Sequence, residues 1–292
     1  MKNSLLILTL FAFSSSASAS ILFSDTFSRA NNDDIDADTG GMGGSLGSLN
    51  YVETTDTNSG TSSFSLIRDG QLGLANGPNA SGLHIDHNFI DSAISTAGGF
   101  NVSLDLDNTG TNNGLNQFFA GFGIGLSVPE LGVYNFDHNA SAVSPGVRGH
   151  QNAVTANSGV ADFFVGLIRT GSEPDSSVFV GIYESGVETS RFLVDDNGAG
   201  MSEGTLSVDF ELFSFAAGAT VVPSITVNGV AVGGAADLSF TWQAANSNYI
   251  GIAARMNNTG WNLDNLTIET IPEPTVTVLG AFGLLCLLRR HR

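Results

Sequence analysis

The chain has 292 residues, with 28 acidic against 10 basic side chains and a formal net charge of −18 at pH 7. That balance repels nucleic acid and anionic membrane surfaces and so argues against both as partners. The one cysteine, Cys286, rules out an intrachain disulfide, so the fold must hold by its core alone; 36 glycines and 7 prolines leave the composition short of low complexity.

The chain opens MKNSLLILTLFAFSSSASAS. Lys2 precedes an apolar stretch from Leu5 to Phe13, and a run of small residues closes on Ala17-Ser18-Ala19. A charged start, a short apolar segment and an A-x-A site are the parts of a secretory signal peptide, predicted here as a helix within residues 1–19. A buried N-terminal helix would suit the apolar stretch but not its serine-rich flank. Cleavage after Ala19 leaves Ser20 first in the exported chain and implies the Sec translocon and signal peptidase as partners.

Residues 20–271 are expected to form one acidic domain. They hold six basic residues, all arginine, against 27 acids, a net charge near −21. Such a surface favours solubility, and divalent cations wherever carboxylates converge. The first convergence is Asn32-Asp33-Asp34-Ile35-Asp36-Ala37-Asp38-Thr39-Gly40. Asp34, Asp36 and Asp38 have the alternate spacing of a loop that wraps Ca²⁺ in oxygen ligands. Thr39 stands where such a loop needs glycine, however, and no acid closes its twelfth position. The same spacing on a strand would line three carboxylates along one solvated face, and both readings stay open. No other cofactor is expected.

From here on, period two dominates. In 100–107, FNVSLDLD, Phe100, Val102, Leu104 and Leu106 share one face and Asn101, Ser103, Asp105 and Asp107 the other. In 117–126 Phe118, Phe122, Ile124 and Leu126 alternate with Gly121, Gly123 and Gly125, and 205–212, TLSVDFEL, repeats the pattern. Weaker versions occur at 21–27, 49–54, 64–74, 162–169, 177–183, 191–195, 219–227, 237–242, 248–255 and 261–268, each bounded by turn residues. Asn228-Gly229 signals a tight hairpin. No window of a dozen residues keeps a helical period. The prediction is an all-β domain of a dozen or more antiparallel strands, each with one buried face, in two packed sheets: a jelly-roll β-sandwich.

Little in the domain suggests catalysis. Glycoside hydrolysis on such a scaffold needs carboxylates aimed into one cleft, usually from a Glu-x-Asp-x-x-Glu strand; Asp209-Phe210-Glu211 lacks the third acid and reads as a strand's polar face. His84 and His87 fall on opposite strand faces, and His138 and His150 stand alone. No nucleophile elbow or phosphate-cradling glycine loop occurs, and the glycines fall at strand ends and in turns. The domain is therefore expected not to be an enzyme. Rings for sugar stacking could come from Tyr51, Tyr134, Trp242, Tyr249 or Trp261, although Trp242 alternates with Leu238 and Phe240 as a core residue does.

The tail, IPEPTVTVLGAFGLLCLLRRHR, differs in kind. Residues 275–288 carry no charge and are followed by Arg289, Arg290 and Arg292. As a helix they reach about 21 Å, short of a hydrocarbon core of about 30 Å, so they span only marginally, with the arginines stopping transfer on the cytoplasmic side. A Pro-Glu-Pro triplet (Pro272, Glu273, Pro274), a short transmembrane helix and a basic cluster at the extreme C-terminus resemble the PEP-CTERM sorting signal of Gram-negative bacteria. The resemblance covers residues 272–292. It implies a protein held briefly in the inner membrane until an exosortase, a membrane-embedded cysteine transpeptidase, cuts near Pro272, Glu273 and Pro274. It implies delivery to the cell surface or the extracellular space, and association with exopolysaccharide and biofilm. A permanent single-pass anchor is the alternative.

The domain's edges carry a second resemblance. Asp25, Phe27 and Arg29 at the start, and Asp264, Asn265 and Leu266 at the end, are similar to the first and last strands of concanavalin A-like (laminin G-like) sandwiches. That fold implies paired termini and a domain complete from about Ile21 to Thr270. The function expected is a non-enzymatic surface or matrix protein; the alternative is a lectin-like carbohydrate-binding module, Ca²⁺-dependent if the aspartate loop binds.

Overall fold

Alternating side chains leave most of the domain no way to bury its apolar half except as strands laid face to face. The computed structural model describes residues 19–31, 35, 39–54, 65–74, 80–90, 92–108, 118–128, 161–169, 176–184, 187–195, 203–212, 214–232, 238–243, 246–255 and 261–271. The chain divides into two compact units, and Ser20–Ile271 is the one that holds every described element. The aspartates Asp34, Asp36 and Asp38, Ala17, the tail motif Pro272-Glu273-Pro274 and Arg289, Arg290 and Arg292 all lie outside the described residues. Among the described residues no helix is long and apolar enough to cross a membrane.

In chain order the strands are β1 (Ile21–Asp25), β2 (Met42–Gly43), β3 (Tyr51–Thr54), β4 (Ser65–Arg68), β5 (Gln71–Leu74) and β6 (Ala80–Ile85). After a short helix, α1 (Ser92–Ala97), come β7 (Gly99–Asn108), β8 (Phe118–Leu126), β9 (Phe163–Arg169), β10 (Ser176–Glu184), β11 (Val187–Asp195) and β12 (Glu203–Glu211). The last are β13 (Thr220–Val227), β14 (Val230–Ala231), β15 (Phe240–Thr241), β16 (Tyr249–Arg255) and β17 (Trp261–Thr270). Two antiparallel sheets result. A ten-stranded sheet runs β14-β13-β12-β7-β17-β1-β2, with β15 on β13 and the β4–β5 hairpin on β17. A seven-stranded sheet runs β11-β10-β9-β8-β16-β6-β3. The predicted all-β, two-sheet sandwich is the fold that forms.

Phenylalanines tie the two sheets together. Phe100 of β7 and Phe210 of β12 stack at 5.1 Å, and Phe163 of β9 meets the Phe210 ring edge-on at 5.4 Å. Phe163 also stacks on Phe240 at 5.0 Å, and Phe215 meets Trp242 at 5.2 Å. Each such ring removes a large apolar area from water and adds a preferred ring–ring geometry.

β17 is the axis of the larger sheet. One side pairs with β7 along its length; the other pairs with β5 at Trp261–Leu263 and with β1 from Leu266 to Glu269. A bulge between Asp264 and Thr267, with Asn265 in the left-handed region at φ 49, separates those two partners. The first and last strands of the domain therefore lie side by side. Ser20 donates its N–H to Thr270 Oγ1 at 3.0 Å, and the Thr270 N–H donates to Ser20 O at 3.0 Å.

Four expectations need correction. The single strand expected at 64–74 is the hairpin β4–β5, turned by Asp69 and Gly70 at φ 53 and 78. Helix α1 appears where none was expected, because six residues ended by Gly98 at φ 82 are too few to register in a twelve-residue window. Strands do not all have one exposed face: in β8 and β9, and in β16 after Tyr249, the described side chains are buried on both faces. Nor are the glycines confined to turns. Gly121 of β8 opposes Gly166 of β9, and a Cβ on Gly166 would come within 2.5 Å of the Ala120 carbonyl oxygen. The two backbones approach too closely for side chains. The Asn228-Gly229 hairpin forms as expected, with both residues left-handed at φ 51 and 74.

Candidate functional site

Alternation on β7 sends Leu104 and Leu106 into the core and Asp105 and Asp107 to the solvent side. Registry supplies their neighbours. On one flank Thr205 and Glu203 of β12 stand opposite Asp105 and Asp107; on the other flank Asp264 and Asn262 of β17 do the same. With Gln71 from β5 and Asn228 from the β13–β14 turn, these residues line a groove of about 320 Å³ on the outer face of the ten-stranded sheet.

Two like-charged pairs face each other across this groove, Asp107 against Glu203 and Asp105 against Asp264. Directly opposed like charges weaken a sheet. Asp105 is shielded in part, since it accepts hydrogen bonds from the Thr205 hydroxyl and, at 2.8 Å, from Asn265 Nδ2. Desolvation raises the Asp264 pKa above the usual aspartate value, and the charges of Asp105 and Asp25 push it the same way, against the Asn265 N–H that the carboxylate accepts. Asn228 is fixed by its backbone N–H to Thr205 O at 2.9 Å and by its Oδ1, which accepts the Thr205 N–H at 3.0 Å. Carboxylates in such a groove accept hydrogen bonds, while the amides of Gln71, Asn228 and Asn262 both donate and accept. Together they match a ligand dense in hydroxyl groups.

The Asp25-Phe27-Arg29 segment does different work. Asp25 Oδ2 takes Arg29 Nη2 at 2.7 Å and the Tyr51 hydroxyl at 3.0 Å, while Oδ1 takes the Phe27 N–H at 2.7 Å. The two side chains of the ion pair are 1% and 0% exposed. Arg29 also lies over the Phe27 ring and donates to Gly40 O at 2.7 Å. Desolvation raises the Asp25 pKa despite these three donors; Tyr51 is pushed well above its ordinary value by burial and by the Asp25 charge. Asp25 stands in register with Leu266, so the two segments that suggested the sandwich meet as neighbouring strands.

The remaining sequence candidates scatter. Asp209 and Glu211 are exposed on β12, where Asp209 accepts from Asn101 Nδ2 at 2.7 Å, a strand's polar face as expected. His84 is buried, which lowers its pKa against the opposing charge of Asp86, and it meets Tyr249 edge-on; His87 likewise meets Phe89 edge-on. Tyr51, Trp242 and Trp261 are fully buried, so they offer no stacking platform, and Tyr134, His138 and His150 lie outside the described residues. Among the described residues no three His, Cys, Asp or Glu are grouped to hold a metal. Sequence reading placed Asp105 and Asp107 on a solvated face but could not join them to Asp264, Glu203 or Asn228. That union depends on pairings between distant strands.

No protein-family model matches the sequence, and no curated protein matches it. Among solved structures the chain is similar to the carbohydrate recognition domain of Emp46p in its potassium-bound form, at 9% identity over 77% of this chain and 88% of that one, with a TM-score of 0.44. It is similar to an endo-1,3-beta-glucanase from Streptomyces sioyaensis, at 14% identity over 86% and 96%, with a TM-score of 0.49. It is also similar to lectin I-B4 from Griffonia simplicifolia in a metal-free form, at 13% identity over 75% and 92%, with a TM-score of 0.41.

Proposed function

We propose that the chain is an exported, non-enzymatic protein of the cell surface or extracellular matrix, whose sandwich binds a hydroxyl-rich polysaccharide through the groove on its ten-stranded sheet. The carrying observation is that groove: Asp105, Asp107, Glu203 and Asp264 interleaved with Gln71, Asn228 and Asn262 on a rigid sheet face. Binding without bond cleavage is supported by Asp105, both of whose carboxylate oxygens are already held, by Thr205 and Asn265. A glycan array probed with residues 20–271 tests the reading, with Asp107→Ala as the control. Losing a charged hydrogen-bond partner weakens binding by about tenfold or more. Silence across neutral and acidic glycans, or equal binding by the variant, refutes it.

Export and sorting complete the proposal. The N-terminal segment, with Ala17 and Ala19 at its cleavage site, acts as a signal peptide. The tail, with Pro272, Glu273 and Pro274 followed by Arg289, Arg290 and Arg292, acts as an exosortase sorting signal. Mass spectrometry of the protein recovered from culture tests both: a species running from Ser20 to near Pro272 supports the reading, whereas an intact tail in the membrane fraction means a permanent anchor.

A further inference from the structure

Every charged side chain that borders the groove is an acid: Asp105, Asp107, Glu203 and Asp264, set among neutral amides. The strands that carry them, β7, β12 and β17, contain no lysine, arginine or histidine. By register Arg68 of β4 stands opposite Gln71, at the outer edge of the β4–β5 hairpin, rather than opposite an acid. Nothing in the fold offsets the Asp107–Glu203 pair. Among the described residues no side chain donates to either one, although the two are directly opposed.

Neighbouring strands lie about 4.8 Å apart, so one ammonium group placed between these two carboxylates donates to both. Two residues further along, about 7 Å away, Asp264 faces Asp105. Its Oδ1 takes the Asn265 N–H, which leaves Oδ2 for a second such group. An ammonium has three donors and no acceptor, the complement of a carboxylate; the amides of Gln71, Asn228 and Asn262 serve hydroxyl groups in both directions. A ligand that carries amines and hydroxyls on one repeating unit uses both sets. We infer that the polysaccharide this groove selects is cationic, built from amino-sugar units whose amines are free and protonated, and that uronic-acid polymers are repelled from it. This rests on the reading of the groove as a polysaccharide site. A uronate would set a fifth carboxylate among four with no base to meet it, whereas an amino sugar relieves the repulsion already present.

The test uses the full 292-residue chain in detergent and β-1,4-linked hexasaccharides that differ only at the second carbon of each ring. These are the glucosamine hexamer with free amines, its fully N-acetylated form, and cellohexaose with hydroxyls. Calorimetry at about pH 6 keeps the amines protonated and ordinary carboxylates charged. The free-amine hexamer is expected to bind at least about tenfold more tightly than either of the others, the worth of one charge-assisted hydrogen bond. That advantage should shrink as salt is added. Glu203→Gln, at an exposed position, should narrow it about fivefold or more. Asp86→Asn, at an exposed acid just past β6 of the other sheet, should keep it. A glucuronate hexamer should bind least. Equal affinity for the three hexamers, tighter binding of glucuronate than of cellohexaose, or an Asp86→Asn effect as large as that of Glu203→Gln overturns the inference and leaves the polysaccharide reading standing. Hexalysine bound as tightly as the free-amine hexamer also overturns it, by showing a site for any cation. No binding by any hexasaccharide overturns the polysaccharide reading, and the inference with it.

Discussion

Replacing Arg29 with methionine leaves the Asp25 carboxylate buried without a countercharge. Its remaining donors are the Tyr51 hydroxyl and the Phe27 N–H. Both side chains of the ion pair are out of solvent, so screening does not soften the loss. Breaking such a pair from one side costs about 3–5 kcal/mol at neutral pH, and the lost bond to Gly40 O adds about 1 kcal/mol. Against a typical domain stability of about 5–15 kcal/mol, that brings the variant close to unfolding. The deficit depends on pH, and its sign follows from Asp25. Burial raises its folded pKa above the unfolded value of 3.8, and removing Arg29 raises it further. The protonated form's contribution is fully present below the unfolded value and is lost as pH rises through the folded one. Arg29→Met should therefore be most damaging at pH 7 and recover toward wild type as pH falls through the raised Asp25 value. Urea unfolding followed by tryptophan fluorescence measures this directly, since Trp242 and Trp261 are both fully buried. Exchanging both partners, Asp25→Leu with Arg29→Met, should regain most of the loss. A deficit below about 1 kcal/mol, or one that is the same from pH 4 to pH 8, would show that water reaches the carboxylate and would refute the reasoning.

Phe210→Ala removes the ring that both Phe100 and Phe163 contact and should cost about 3–5 kcal/mol in the same unfolding assay. Gly121→Ala drives a methyl into the backbone of β9, against Gly166 Cα, and should destabilise by about 1–3 kcal/mol or abolish folding; a fully stable variant would mean the strands can part. Asp264→Asn relieves repulsion from Asp105 and should raise stability at pH 7 by about 0.2–1 kcal/mol. The gain should vanish at low pH, where Asp264, with its raised folded pKa, is already protonated in the folded state.

Much of the fold was legible because alternation reports directly on burial. FNVSLDLD announced its own two faces, and Phe100, Val102, Leu104 and Leu106 lie in the core. Asn228-Gly229 announced its turn because few residues accept two successive left-handed conformations. What stayed hidden was everything set by partner strands. Gly121 falls on a strand by its alternation, but nothing local shows that it must be glycine until it is placed opposite Gly166. Trp261 and Tyr51 look like ring platforms until their strands are packed. The groove was hidden for the same reason. Asp105 and Asp264 are 159 positions apart in sequence and become neighbours only through the β7–β17 register, which no local pattern encodes.

The bulged strand β17 also sets a direction. Its last residue, Thr270, holds Ser20 at the start of the domain, while Asn262 and Asp264 near its beginning border the groove. Six residues at about 3.3 Å each put roughly 20 Å between the joined termini and the nearest groove residue. Anything covalently attached at Ser20 or Ile271 therefore grips one end of the sheet and leaves the groove toward the other. Copies fixed by their ends to a common support would present grooves at one height and with one orientation. If the groove holds a polysaccharide as proposed, a polymer with repeating units engages many copies at once, and individually weak contacts sum to firm retention through effective concentration alone.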